Sequence, residues 1–65
     1  MVTFKNIKSV NIKDALEVCT MYLNIDATVE ETEQGEFFIK YADKDVVVKD
    51  AEAVVGELFT AAGHP

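Results

Sequence analysis

The sequence predicts an α+β fold of two layers, in which two helices cover one face of a three-stranded antiparallel meander. Two segments carry apolar residues at the 3.6-residue period of a helix, and the segments between them alternate with the period of two of strands. At 65 residues, the only sensible count is one small acidic domain spanning residues 1–65. The predicted element order is (β)-α-β-β-β-α, where the first strand is a short fourth strand over residues 1–5.

The first helix is predicted over residues 12–23. Asn11 is the expected N-cap, Asp14 lies in the first turn, where its charge meets the positive helix end, and Asn24 is expected to end the helix in a left-handed conformation. The apolar stripe of this helix consists of Ile12, Ala15, Leu16, Cys19, Tyr22 and Leu23.

The middle of the chain predicts the meander, because its segments are rich in β-branched and aromatic residues. The first hairpin allows two registers, which exchange the two faces of the sheet. A three-residue loop with Gly35 in the left-handed bulge position pairs Val29 with Ile39, whereas a two-residue loop would turn Glu30 inward, so the longer loop is favoured. The three predicted strands are Ala27–Thr32, Glu36–Tyr41 and Asp45–Lys49.

For the second hairpin, a two-residue turn at Asp43 and Lys44 predicts that Tyr41 pairs with Val46 and Ile39 with Val48. Both helices are expected on the apolar sheet face, leaving the opposite face without a cover. The predicted core face holds Phe37, Ile39, Tyr41, Val29, Val46 and Val48. The predicted open face carries Thr28, Glu30, Thr32, Phe38, Lys40, Val47 and Lys49.

The last helix is predicted over residues 51–62, with Asp50 as its N-cap, Gly63 as its stop and Pro65 preventing continuation. Gly56 lies off the apolar stripe, either at a solvent-exposed position or at a close approach to another helix. The stripe consists of Ala51, Val54, Val55, Leu58, Phe59 and Ala62.

Charge is unevenly distributed along the chain. The net charge is −6, but the first 13 residues carry +3 and the rest carry −9. An acidic stretch without any base runs through Asp26, Glu30, Glu31, Glu33 and Glu36. Such a field repels the phosphates of nucleic acid, and the chain has no arginine for bidentate contacts, so direct nucleic-acid binding is not expected. Attraction to a basic protein surface is expected instead.

The residues needed for catalysis or metal binding are scarce. His64 adjoins the C-terminal residue with no group to orient it, and Cys19 lies in a helical apolar pattern, where a thiol acts as a small hydrophobe. Asp43 and Asp45 lack the glycine and the final glutamate of a calcium loop. We therefore expect no enzymatic activity, no metal and no cofactor.

The compartment is expected to be intracellular and cytoplasmic. The first ten residues contain no apolar signal-peptide core, and no apolar run reaches the length of about 20 residues that spans a membrane. A lone thiol is typical of a reducing environment. A membrane partner is accordingly not expected.

Phe38 is the predicted anchor of a partner-binding surface, since large aromatic side chains dominate many interfaces. The alternatives are a single exposed apolar residue and a residue covered by Val2 and Phe4. The acidic stretch could likewise be a solvated edge whose charges prevent strand pairing. The predicted partner-binding residues are Asp26, Glu30, Glu31, Glu33, Glu36, Phe38, Lys40 and Val47.

These features lead to two hypotheses about function. The first is a protein-binding module, an inhibitor or decoy that imitates nucleic acid and engages the basic surface of a partner protein. The second is a homo-oligomeric structural protein, assembled through the open sheet face or the Gly56 face of the last helix. A homodimer is a reasonable expectation in either case, because a domain this small has few other means of stabilisation and one cysteine forms no internal disulfide.

Overall fold

A computed structural model describes residues 1–63 and has the predicted order of elements. His64 and Pro65, which were considered above as a catalytic candidate and a helix breaker, lie outside the described residues. The elements are β1 (Val2–Lys5), α1 (Val10–Thr20), β2 (Ala27–Glu31), β3 (Phe37–Tyr41), β4 (Asp45–Val48) and α2 (Ala51–Ala61).

The four strands form one mixed sheet in the order β1-β2-β3-β4. The N-terminal strand β1 pairs in parallel with β2, so α1 is the crossover that a parallel connection requires. The remaining pairs are antiparallel. Both helices pack on the same sheet face, and the buried apolar core between them consists of Leu16, Leu23, Ala27, Val29, Phe37, Ile39, Val54 and Leu58.

The favoured register of the first hairpin is confirmed. Val29 pairs with Ile39, and both are completely buried. Gly35 has φ +81, the left-handed conformation that the bulged turn needs, and its N–H donates to the Thr32 carbonyl at 3.1 Å. The Thr32 hydroxyl accepts from the Glu36 N–H at 3.1 Å and closes the turn from the other side.

The predicted register of the second hairpin is wrong by two residues. Ile39 pairs with Val46 and Phe37 with Val48, and the Tyr41 N–H donates to the Lys44 carbonyl at 2.9 Å, so the two-residue turn lies at Ala42 and Asp43 instead of Asp43 and Lys44. The faces stay the same, because a shift of two residues preserves the alternation. The observed register keeps Phe37 beside an apolar neighbour, whereas the predicted one would have placed it opposite Asp50.

Helix α1 begins and ends earlier than predicted. Ser9, not Asn11, is the N-cap residue, and its carbonyl accepts from the Lys13 N–H at 3.0 Å. The first turn consequently contains no acidic residue, so Asp14 does not support the helix start as expected. The helix ends at Thr20 without a left-handed residue, and Asn24 lies beyond it.

The buried face of α1 also differs from the predicted stripe. Ala15, Cys19 and Tyr22 are exposed, and Thr20 is buried in their place. The Thr20 hydroxyl donates to the Leu16 carbonyl at 2.6 Å, so this polar group enters the core with its hydrogen bond made. The helix is rotated relative to the prediction, and much of its apolar surface points outward.

Helix α2 agrees with the prediction to within one residue. The Asp50 carboxylate accepts from the Ala53 N–H at 2.7 Å, and Gly63 follows the helix with φ +89. Val54 and Leu58 are fully buried, and the rest of the predicted stripe packs against the core. Neither helix in residues 1–63 has the length and apolarity needed to cross a membrane.

Gly56→Ala should stabilise the domain by about 0.5–1 kcal/mol, because alanine is the better helix former. Gly56 lies inside α2 without a positive φ, and a Cβ atom there would have no neighbour within 4 Å among the described residues. The free energy of unfolding in urea measures the change.

Gly35→Ala is the matched control. A Cβ atom at Gly35 would also meet open space, but the left-handed φ of +81 opposes any side chain. This substitution should destabilise the domain by about 1 kcal/mol. If both substitutions raised the free energy of unfolding, or both lowered it, the roles assigned to these two glycines would be contradicted.

Candidate protein-binding surface

The sheet face opposite the helices forms two rows of side chains across the four strands. We call this surface the open face. One row runs through Thr3, Thr28, Lys40 and Asp45, and the other through Lys5, Glu30, Phe38 and Val47. None of these eight residues belongs to the core cluster, so they stay available for contact in the part of the chain described.

Phe38 lies in the interior of the open face. Its strand neighbours in the row are Glu30 on one side and Val47 on the other. Phe38 is half-buried by its surroundings, while Val47 is 53% exposed. Val2 and Phe4 pack against the core on the opposite face, so they do not cover Phe38. The pair Phe38 and Val47 is therefore an apolar centre that α1 and α2 leave open.

Four carboxylates gather at the β2–β3 end of the sheet. We call Glu30, Glu31, Glu33 and Glu36 the acidic end. Glu30 and Glu31 are consecutive in β2, so they emerge on opposite faces, and Glu33 is exposed in the turn. Glu36 shares the sheet face of Phe38 by alternation. Within residues 1–63, no ion pair involves any of the four.

Two of these carboxylates are held in place by the loop between β1 and α1. The Asn6 side-chain amide donates to Glu30 Oε2 at 2.7 Å, and the Lys8 backbone N–H donates to Glu31 Oε1 at 2.9 Å. Asn6 adopts a left-handed φ of +54, which asparagine tolerates better than most residues. These bonds orient the carboxylates without neutralising them. Asn6 was not among the predicted site residues, and its one local signal in the sequence is its position directly after a strand.

The loop and the carboxylates enclose a shallow cleft of about 410 Å³. Three of the four carboxylates line it, and Lys8 is the one cation among its lining residues. The cleft therefore adds negative potential beside the open face, because its acids outnumber its base.

Asp26 does not join the acidic end. It lies just before β2, at the opposite end of that strand from Glu31, and its carboxylate accepts from the Met1 ammonium at 2.7 Å. This hydrogen bond and the ammonium charge lower the pKa of Asp26. The acidic stretch of the sequence is thus divided into four carboxylates at one end of β2 and one compensated carboxylate at the other.

The remaining reactive groups do not converge on this surface. Cys19 is exposed on α1, on the other side of the sheet. Among residues 1–63, no group of three or more His, Cys, Asp or Glu side chains is arranged to hold a metal ion. In the comparisons with known proteins, no family model, curated protein or solved structure matches this chain.

A separate polar cluster joins α2 to the end of β3. The Tyr41 hydroxyl donates to Glu57 Oε1 at 3.4 Å, and Lys44 lies 4.0 Å from the same oxygen and 5.1 Å from the centre of the Tyr41 ring. Burial, the Glu57 charge and this hydrogen bond raise the pKa of Tyr41 to about 12. None of the three residues of this cluster belongs to the acidic end.

Alkaline pH should weaken the fold through Tyr41. The folded state favours the neutral phenol of Tyr41. The contribution of this preference to the free energy of unfolding is therefore complete below pH 10 and is lost as the pH rises towards 12. Glu57→Gln should lower the Tyr41 pKa, because it removes the negative charge beside the phenol, but should leave it above 10 because burial persists. The absorbance of tyrosinate during a pH titration, with Tyr41→Phe as the baseline, measures both values. An unchanged midpoint in Glu57→Gln would contradict this assignment.

Proposed function

We propose that this protein is a binding module that occupies a basic surface of a partner protein, as an inhibitor or decoy. The observation that supports it most is the acidic end, whose four carboxylates have no ion pair within residues 1–63 and one of which, Glu30, lies next to Phe38 in the open face. The module acts by contact rather than by catalysis, in an intracellular compartment.

The charge of the acidic end supports a basic partner. Carboxylates that outnumber the nearby lysines on one end of a small domain attract a cationic surface over about 10 Å at moderate salt, and they accelerate association by steering. Nucleic acid offers its binding proteins the same sign of charge. A basic cleft that binds nucleic acid is therefore the kind of surface that the acidic end fits.

The apolar centre contributes binding affinity that charge alone does not provide. Exposed ion pairs contribute little affinity, whereas an aromatic side chain removed from water at the middle of an interface often contributes much of it. Phe38 lies directly beside Glu30 in one row of the open face, and Val47 follows on the far side of Phe38. Charge then guides the approach, and burial of the apolar centre holds the complex.

Removing charge from the acidic end should weaken binding to the partner. The variant carries Glu30→Gln, Glu33→Gln and Glu36→Gln, and the partner is a protein retained from a source-cell lysate on the immobilised wild-type domain. With the purified partner, we expect affinity to fall by about threefold to 150-fold, since each of the three lost pairs contributes roughly 0.2–1 kcal/mol. Titration calorimetry at two salt concentrations measures the affinity and its dependence on screening.

The matched control removes the same number of carboxylates from elsewhere on the surface, through Asp14→Asn, Asp43→Asn and Glu52→Gln. All three positions are exposed and lie outside the acidic end. We expect the control to change affinity by less than about threefold, through net charge alone. Equal losses in both variants, or binding that does not respond to salt, would contradict the proposal.

A further inference from the structure

The strand β1 forms one edge of the sheet and carries little to protect it. Its pairing in residues 1–63 is with β2 alone, so its outer side offers unpaired backbone groups. Natural edges are usually blocked by charges, proline or a bulge. In β1, Lys5 is the one charged residue, and it lies at the end of the strand.

Most of the exposed large apolar side chains lie on or next to α1, the helix that packs against β1. Six large apolar residues are exposed among residues 1–63, and five of them lie on α1, directly after it or at the start of β1. Together, β1 and the C-terminal half of α1 line an open groove of about 540 Å³, whose walls include Val2, Phe4, Val18 and Met21. The five residues, which are 64–87% exposed, are Met1, Val10, Val18, Met21 and Tyr22.

The charges on the groove side of α1 identify the occupant. Val10, Lys13, Glu17 and Met21 follow one another at spacings of three, four and four, so they fall within about 80° of the helix circumference. Glu17 and Met21 line the groove, which shows that the C-terminal half of this strip faces β1. Lys13 and Glu17 lie 3.0 Å apart and remain 43% and 48% exposed.

The strip is complementary to itself when a second copy runs in the opposite direction. An antiparallel α1 places Lys13 opposite the partner's Glu17, and Val10 opposite the partner's Met21. The two-fold axis then passes near the middle of α1. Helix and strand are both short, about 16 Å and 13 Å, and α1 packs against β1, so the same two-fold axis brings the two β1 edges towards each other.

We infer that two copies of this chain associate through β1 and α1. The two β1 strands pair in antiparallel orientation to give one eight-stranded sheet, and the two α1 helices lie antiparallel across the junction. This interface is isologous, as two-fold dimers require. It differs from the open face and the acidic end, which stay exposed on both copies, so the inference does not depend on the proposed function.

Sedimentation velocity over a range of concentrations tests the dimer and its location. The wild-type chain should sediment as a dimer that dissociates on dilution. Met21→Asp should weaken the dimer at least about tenfold, because it buries charge in the groove. Val47→Asp adds the same charge to the open face and should leave dimerisation unchanged. Circular dichroism confirms that each variant is folded.

A charge-exchange experiment separates contacts between copies from those within one chain. Lys13→Glu alone makes every strip acidic, and Glu17→Lys alone makes every strip basic, so each variant should dimerise about tenfold more weakly than wild type. Mixing the two should restore the dimer as a heterodimer, because the acidic strip of one variant then faces the basic strip of the other.

The mixing result cannot arise from the pair within each helix, since both variants have lost that pair. A monomeric wild-type chain at millimolar concentration would overturn the inference. A dimer that Val47→Asp disrupts and Met21→Asp does not would also overturn it. The same holds if a mixture of the two charge variants dimerises no more strongly than either variant alone.

Discussion

The structure depends on the burial of one sheet face, which is set at the pair Val29 and Ile39. Both side chains are fully buried, and they lie opposite each other on the two central strands. The bulged turn at Gly35 fixes which residues meet. A one-residue slip would place Glu30 in the core, and a buried unpaired carboxylate costs several kcal/mol. Every other assignment of residues to a face follows from this pair.

The same constraint produces the candidate surface. Alternation along β2 and β3 sends Glu30 and Phe38 to the face that the helices leave open. The tight turn then brings Glu33 and Glu36 to the same end of the sheet. The acidic end is therefore a consequence of the hairpin register rather than of a dedicated binding loop. Its carboxylates are oriented by hydrogen bonds from Asn6 and Lys8, which belong to the loop after β1.

The limits of prediction from sequence are visible in particular elements. The register of the first hairpin was predictable, because the other register would bury Glu30 and because Gly35 suits the bulged turn. The bounds of α2 were predictable from the Asp50 cap and from Gly63. The second hairpin was not, because registers two residues apart bury the same valines. In α1, Thr20 is buried where Cys19 was expected. The Thr20 hydroxyl can enter the core because it donates a hydrogen bond to the Leu16 carbonyl, and a pattern of hydrophobic residues does not reveal such a bond.

The candidate surface was predictable only in part. Glu30, Phe38, Lys40 and Val47 were assigned to the open face correctly, because alternation is a local property. The separation of Asp26 from the other acids depends on strand length and on a partner distant in sequence, the Met1 ammonium. The apolar outer side of α1 was not predicted, because Tyr22 was expected to be buried and is exposed instead.

The measurement that tests the central claim most directly compares two neighbours on β3. Ile39→Thr and Phe38→Thr make the same kind of change on opposite faces of one strand, and urea unfolding gives the free energy of each. One-sided burial predicts a loss of about 2–4 kcal/mol for Ile39→Thr and less than about 1 kcal/mol for Phe38→Thr. Equal losses, or a larger loss at Phe38, would show that the helices do not cover one face alone.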